Sequence, residues 1–307
     1  RDVGKFNKSL RDFKGTSYLN TMIYETAKNY KPDLILLGHS YDIESDTLEK
    51  IKDLSKKTVI SQWFEDHLAD TGPDFASNRK KLLKYDNFVT SNFITTHPST
   101  LDFLRKKKNF HYLPIPVDKN IEKLKIYENN NQINDVFFSM SHGVNRGKLK
   151  RDKQDERHNF ITDLITECPN IIFDIYGYNN REPVWAEDFY KVIVNSKMAL
   201  NLTRGKPLKY LTSNRIASLI GNGLLTFIDK RTQLSNFFNG NEVIFYSGLE
   251  DLANKINFYK SNDKKRINVA KKGRRKYFDL FECQKVANYI ISKSFNREIS
   301  KKLKWMD

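Results

Sequence analysis

Short β-branched or leucine-rich runs alternate with segments of helical period along most of the chain, and this alternation constrains the fold more than any other feature. It is the signature of βα units and a parallel sheet rather than of an all-helical or all-β protein. In the first half the predicted strands are 34–37, 58–61, 88–90 and 110–113, interleaved with helices at 21–30, 47–56, 79–83 and 99–107. Pro114-Ile115-Pro116-Val117-Asp118 then forms a rigid extended stretch, because each proline removes a backbone donor and biases its predecessor away from helix. A second series follows, with strands at 135–140, 171–176, 198–202, 224–228 and 243–245 and helices at 156–166, 187–194 and 213–220. Helices at 249–258, 264–277 and 284–295 close the chain.

At 307 residues the chain is long for one core, since single cores stop growing near roughly 250–300 residues. Two domains are expected, 1–118 and 119–307, with the proline-rich stretch as the crossing between them. The chain opens on Arg1 rather than Met, so the first domain is read as truncated at its start. No apolar run approaches the roughly 20 residues of a bilayer-spanning helix. Cys168 and Cys283 are too few for a disulfide framework, which points to a reducing, cytoplasmic compartment.

A formal charge of +16 and a pI near 9.5 call for an anionic partner, namely nucleic acid, acidic lipid or a phosphorylated small molecule. A merely solvated basic surface fits the same numbers. Nucleic-acid binding would need a recognition helix, an RNA-binding aromatic motif or a zinc module, and the sequence contains none. The glycines of Gly143-Val144-Asn145-Arg146-Gly147-Lys148 are too close for a phosphate-binding P-loop, and no Ser or Thr follows the lysine. Gly221-Asn222-Gly223 ends a helix and feeds a strand, the reverse of a dinucleotide fingerprint. The histidines and cysteines lack zinc spacing, and no Asp-x-Asp pair is available to bridge a metal to a diphosphate. A bound diphosphate must therefore be met by cationic side chains and backbone amides.

From Ile171 onward, Tyr176-Gly177-Tyr178-Asn179, Pro183-Val184-Trp185 and the run Ser196 to Arg204 appear in fixed order. Ser213-Asn214-Arg215-Ile216, Gly221-Asn222-Gly223 and the tail from Phe237-Phe238 to Tyr277 follow. Together they resemble the CgeB-like glycosyltransferases, over about 110 residues. Weaker support comes from Lys31-Pro32-Asp33-Leu34-Ile35 and Gln62-Trp63-Phe64-Glu65-Asp66. The resemblance implies the GT-B fold, with two Rossmann-like parallel-sheet domains facing across a cleft. It also implies a nucleotide-diphosphate sugar as co-substrate, held by the second domain; with no Asp-x-Asp pair in the chain, neither a metal nor another cofactor is expected.

Small and cationic residues collect near the strand ends where open α/β sheets bind ligands. The donor-side candidates are Arg146, Lys148, Gly177, Tyr178, Arg204, Lys209, Ser213, Asn214, Arg215, Ser218 and Asn222. Tyr178 offers a ring for the nucleobase. The related pattern runs Arg, two residues, then Glu, with the carboxylate on the donor ribose; here that position is Ser218, and no acid lies between Tyr210 and Gly223. If the reaction inverts configuration, the first domain offers Asp66 first, then His67, His39 and His97, as the general base; a retaining reaction needs none. The run Lys260 to Lys276 carries nine Lys or Arg and one acid, and Arg105-Lys106-Lys107-Lys108 a second cluster. Both fit peripheral contact with an anionic membrane bearing a lipid-linked, lipopolysaccharide or other cell-surface glycan acceptor, and equally a solvated face. The Ser218 departure also fits a GT-B scaffold that has lost catalysis.

Overall fold

A computed structural model of the chain describes residues 2–72, 74–140, 156–299 and 303–306. Strands β1 (Leu34–Gly38), β2 (Val59–Phe64), β3 (Ser91–Ile94) and β4 (Phe110–Tyr112) form one parallel sheet in the order β1-β2-β3-β4. Strands β5 (Asn134–Ser139), β6 (Phe173–Tyr176), β7 (Ser196–Asn201), β8 (Leu225–Asp229) and β9 (Ile244–Tyr246) form a second parallel sheet, ordered β6-β5-β7-β8-β9. Helices α1 (Asp2–Tyr30, broken at Gly15), α2 (Ser45–Leu54) and α3 (Phe75–Leu83) belong to the first half. The second half contributes α4 (Glu156–Glu167), α5 (Ala186–Ile193), α6 (Arg215–Gly221), α7 (Leu249–Ser261), α8 (Asp263–Phe281) and α9 (Cys283–Ser294).

The second sheet is covered on both faces, which is why its central strands are apolar runs rather than alternating ones. Val136, Phe137 and Phe138 of β5 are fully buried. Val136 and Phe138 enter a cluster with Ile161 and Leu164 of α4 and Leu252 and Ile256 of α7. Phe137 faces the other way, onto Phe189 and Ile193 of α5, which repeat at helical spacing.

Two expectations from the sequence fail. The strand predicted at 88–90 lies at Ser91–Ile94. Ser91 and Asn92 look like turn residues, but both are buried, and the Asn92 side chain is satisfied by the Gln62 amide on β2 and by Asp86. The helix predicted at 99–107 is instead two 3₁₀ turns, Pro98–Thr100 and Asp102–Leu104. Here the side chains compete for the backbone: His97 Nδ1 accepts from Ser99 N at 3.3 Å, and Thr100 Oγ1 donates to His97 O at 2.8 Å.

The chain passes between the sheets twice, and the two passes are bonded to each other. Val117 N donates to Phe281 O and Cys283 N donates to Val117 O, both at 2.9 Å. Helix α9 thus returns to the first sheet, where Ser61 Oγ donates to Ser294 Oγ at 2.8 Å and Ser91 Oγ to Lys293 O at 3.1 Å. One apolar cluster runs through both halves, joining Phe93, Tyr112 and Val117 to Ile216, Phe237, Tyr289 and Trp305.

His111 of β4 packs against the rings of Phe93 and Tyr289, and burial, with Lys293 beside it, pulls its pKa down to about 4. The fold therefore favours neutral His111, whereas an unfolded histidine takes its proton near pH 6.5. The resulting stability is fully present above about pH 6.5 and is lost as pH falls toward 4, amounting to about 3 kcal/mol. Urea unfolding of His111→Gln should lose that much less stability than the wild type between pH 7 and pH 4.

Candidate active site

In an open parallel sheet a ligand sits outside the carboxyl ends of the strands, at the point where the strand order reverses. In the second sheet that point lies between β5 and β7. Ser139 and Met140 at the end of β5, with Leu202, Thr203 and Arg204 after β7, line a cleft of about 670 Å³. The opposite wall comes from the first sheet: Glu65, Asp66 and His67 follow β2, and Asn78 and Lys81 lie on α3. Trp185, Phe189 and Tyr190 of the α5 segment give one side an aromatic lining, and Ser213, Asn214, Arg215 and Ser218 bring in α6.

The second-sheet side of the cleft is cationic. Arg157, buried in the first turn of α4, joins Arg204 and Arg215 there. Arg215 is fixed in place, since its Nη2 donates to Leu202 O at 2.8 Å and its guanidinium lies 5.1 Å from the centre of the Phe138 ring. On the first-sheet side the carboxylates of Asp66 and Glu65 dominate. Burial, reinforced by those two charges, pushes the nearby Tyr41 hydroxyl up to about 12.

Two ties cross the cleft. Glu65 Oε1 accepts from His39 Nε2 at 2.8 Å, and Glu65 Oε2 accepts from the Asn214 amide at the start of α6. His39 Nδ1 lies 3.0 Å from the Tyr41 hydroxyl, so the chain Tyr41–His39–Glu65–Asn214 spans both sheets. In the second tie, Ala69 N donates to His67 Nδ1 at 3.3 Å, which leaves the ring proton on Nε2, 3.3 Å from Lys206 O. Burial lowers the His67 pKa, Arg204 acts in the same direction, and the backbone bonds oppose. His67 is therefore a neutral, doubly bonded imidazole joining the two halves, and neither ring nitrogen is free to act as a base.

Of the sequence candidates, Asp66, His67, Arg204, Ser213, Asn214, Arg215 and Ser218 line the cleft together. His39 stands behind Glu65. His97 caps a 3₁₀ turn and its amide donates to Lys209 O. Arg146 and Lys148 lie outside the described residues. The remaining donor candidates are displaced for physical reasons. Gly177 takes φ +75°, and a Cβ there would sit 1.9 Å from Met140 O, so its role is to let β6 end against β5. The Tyr178 hydroxyl bonds Thr162 at 3.0 Å and its ring packs on His158 at 4.6 Å, on α4 and away from the cleft. Lys209 lies over the Tyr210 ring. Asn222 is fully buried, donating to Ser218 O and accepting from Leu124 N.

Sequence reasoning missed Glu65, Lys81, Arg157, Trp185 and Tyr190 as cleft residues. Glu65 and Trp185 sat inside motifs already singled out, whereas Arg157 and Lys81 carried no local signal. Among the described residues no group of three or more His, Cys, Asp or Glu is placed to hold a metal ion, and no helix is long and apolar enough to cross a membrane.

Residues 153–292 match the family described as Glycosyl transferase-like. Solved structures align over nearly the whole chain. HepE of Anabaena in complex with UDP superposes with a TM-score of 0.62 at 14% identity, covering 94% of this chain and 84% of that one. Sucrose-phosphate synthase from Thermosynechococcus elongatus gives 0.59 at 10% identity, covering 94% and 79%. A glycosyltransferase from Rickettsia africae gives 0.56 at 12% identity, covering 92% and 81%. No curated protein sequence matches. The two parallel sheets and these superpositions define the GT-B fold.

Gly177→Ala should lower stability by about 2–4 kcal/mol, combining the left-handed backbone penalty with overlap on Met140 O. Thermal unfolding without ligand checks this, because a residue serving only to bind donor would leave the free protein's Tm unchanged.

Proposed function

We propose that the chain is a glycosyltransferase that moves a sugar from a nucleotide-diphosphate sugar to an acceptor hydroxyl, without a metal ion. The observation that carries this reading is the cleft itself, where Arg204 and Arg215 at the reversal point of the second sheet face Asp66 on the first. The two arginines meet the diphosphate charge, each through charge-assisted hydrogen bonds of about 1.5–3 kcal/mol. The aromatic side at Trp185 and Phe189 takes the nucleobase, replacing Tyr178 in that role. The sugar then points toward the first sheet, where Asp66 is the general base for the acceptor hydroxyl if the reaction inverts configuration. UDP-sugars are the first donors to test, since the structurally similar HepE was crystallised with UDP and with UDP-glucose.

The acceptor in this reading is a glycan or lipid-linked molecule at the inner face of an anionic membrane. Exposed Lys264, Lys265, Lys271, Lys272 and Arg275 on α8 support that placement. Other members of the basic run have structural work instead: Arg266 is buried against Asp263, and Lys260 pairs with Asp135.

A thermal-shift panel of UDP-, GDP-, dTDP-, CMP- and ADP-sugars, with and without EDTA, tests the donor reading. A ligand at 100 times its Kd stabilises the fold by about 2.7 kcal/mol. The expected outcome is a shift with UDP-sugars that survives EDTA, with affinity falling about tenfold to a hundredfold in Arg204→Ala. No shift with any nucleotide sugar from folded protein would contradict the donor site and favour a GT-B scaffold without catalysis. If Asp66 is the base, Asp66→Asn should lower kcat at least about a hundredfold while leaving donor affinity within about twofold; an unchanged kcat would exclude that role.

A further inference from the structure

A second cavity of about 610 Å³ opens at the amino ends of β3 and β4, at the end of the first sheet opposite the cleft. Thr90 and Ser91 bring in the start of β3, and Lys108 and Asn109 precede β4. The facing wall is the end of α9 and the turn after it, with Lys293 and Arg297. Strand β3 has four residues, so at roughly 3.3 Å per residue about 13 Å of strand separates this cavity from the cleft. Its volume falls within the roughly 300–1,000 Å³ of small-molecule sites.

The charge of the lining is one-sided. Lys108, Lys293 and Arg297 face a single acid, Glu298. Among the described residues none of these three cations forms an ion pair, whereas neighbours of Lys108 in the same basic run do: Arg105 pairs with Asp102 and Lys107 with Asp86. Lys293 instead lies over the Tyr289 ring at 6.0 Å, and Arg297 over the Phe295 ring at 4.7 Å. The carboxyl end of α9 adds about half a negative charge, so it and Glu298 together offset only about half of the three cations. His111 registers the surplus: it lines the same cavity and is kept neutral by burial and by Lys293 beside it. The Thr90 hydroxyl and the Asn109 amide add neutral hydrogen-bonding groups. A carboxylate ligand would bring one negative charge, whereas a phosphate monoester brings about two, with three free oxygens. The planar fork of an arginine and the point charges of two lysines suit such a group.

We propose that this cavity binds the phosphate of a phosphate monoester, held between Lys108 before β4 and Lys293 and Arg297 at the end of α9. The site shares no residue with the cleft and does not rest on the nucleotide-sugar reading. Its two walls are remote in the chain, so a bound phosphate ties the end of α9 to the first sheet and stabilises the fold. The phosphate belongs either to a free sugar or polyol phosphate or to the headgroup of phosphatidic acid, and the same three cations serve both.

Binding of glucose-6-phosphate and glycerol-3-phosphate to the full chain is followed by calorimetry and thermal unfolding at about 0.15 M ionic strength, where attraction between exposed charges is screened beyond roughly 8 Å. Co-sedimentation with phosphatidylcholine vesicles, with and without phosphatidic acid, tests the lipid source. The expected result is saturable binding of a free ester, with a raised Tm, or of the phosphatidic acid vesicles, in either case unchanged by saturating UDP. Binding should weaken at least about tenfold in Lys293→Ser/Arg297→Ser and about threefold in Lys108→Ser. It should stay within about twofold in Lys50→Ser/Lys80→Ser, which removes exposed charges from α2 and α3. Free-ester binding assigns the site to a soluble phosphate ester, and binding to the phosphatidic acid vesicles alone assigns it to the headgroup. Folded wild type that binds neither would overturn the site, as would full binding by the Lys293→Ser/Arg297→Ser protein. Displacement by UDP would put the ester in the cleft, and equal weakening in Lys50→Ser/Lys80→Ser would reduce the effect to general charge attraction; either result also contradicts the proposal.

Discussion

The structure depends on the point where its two crossings meet. Val117 exchanges both of its backbone hydrogen bonds with the segment joining α8 to α9, so the chain leaving the first sheet and the chain returning to it run side by side. This pairing sets the carboxyl ends of β2 opposite those of β5 and β7 and brings α9 back to cover the first sheet. Each sheet follows its own local pattern, but the cleft exists only because these two passes are locked together.

Beside the apolar cluster that joins the two halves, polar contacts tie them across the cleft. Glu65 reaches Asn214 and His67 reaches Lys206 O, both next to the residues proposed to bind the diphosphate. Hydrogen bonds of this kind each contribute about 1–3 kcal/mol net, the larger figure where a carboxylate accepts. A ligand that takes the Asn214 amide competes with one of these ties.

Much of the fold was legible in the sequence because periodicity is a local property. The runs at 135–140 and 198–202 lie close to β5 and β7, and the helix at 213–220 lies close to α6. Where buried polar residues form a strand, as at Ser91 and Asn92, the local signal misleads. The site was only partly legible, because strand order is not local. Gly177 and Tyr178 do follow a strand, but β6 is the outer neighbour of β5, one place removed from the reversal point. Arg204 follows β7, which borders that point.

The central claim is that a nucleotide diphosphate occupies the reversal point of the second sheet. Hydrogen–deuterium exchange with and without saturating UDP tests it most directly, because it reports where along the chain the ligand acts. The account predicts slowed exchange at 202–206 and 213–218, and at 65–67 across the cleft. Protection confined to the basic face of α8, with none at those segments, would contradict it.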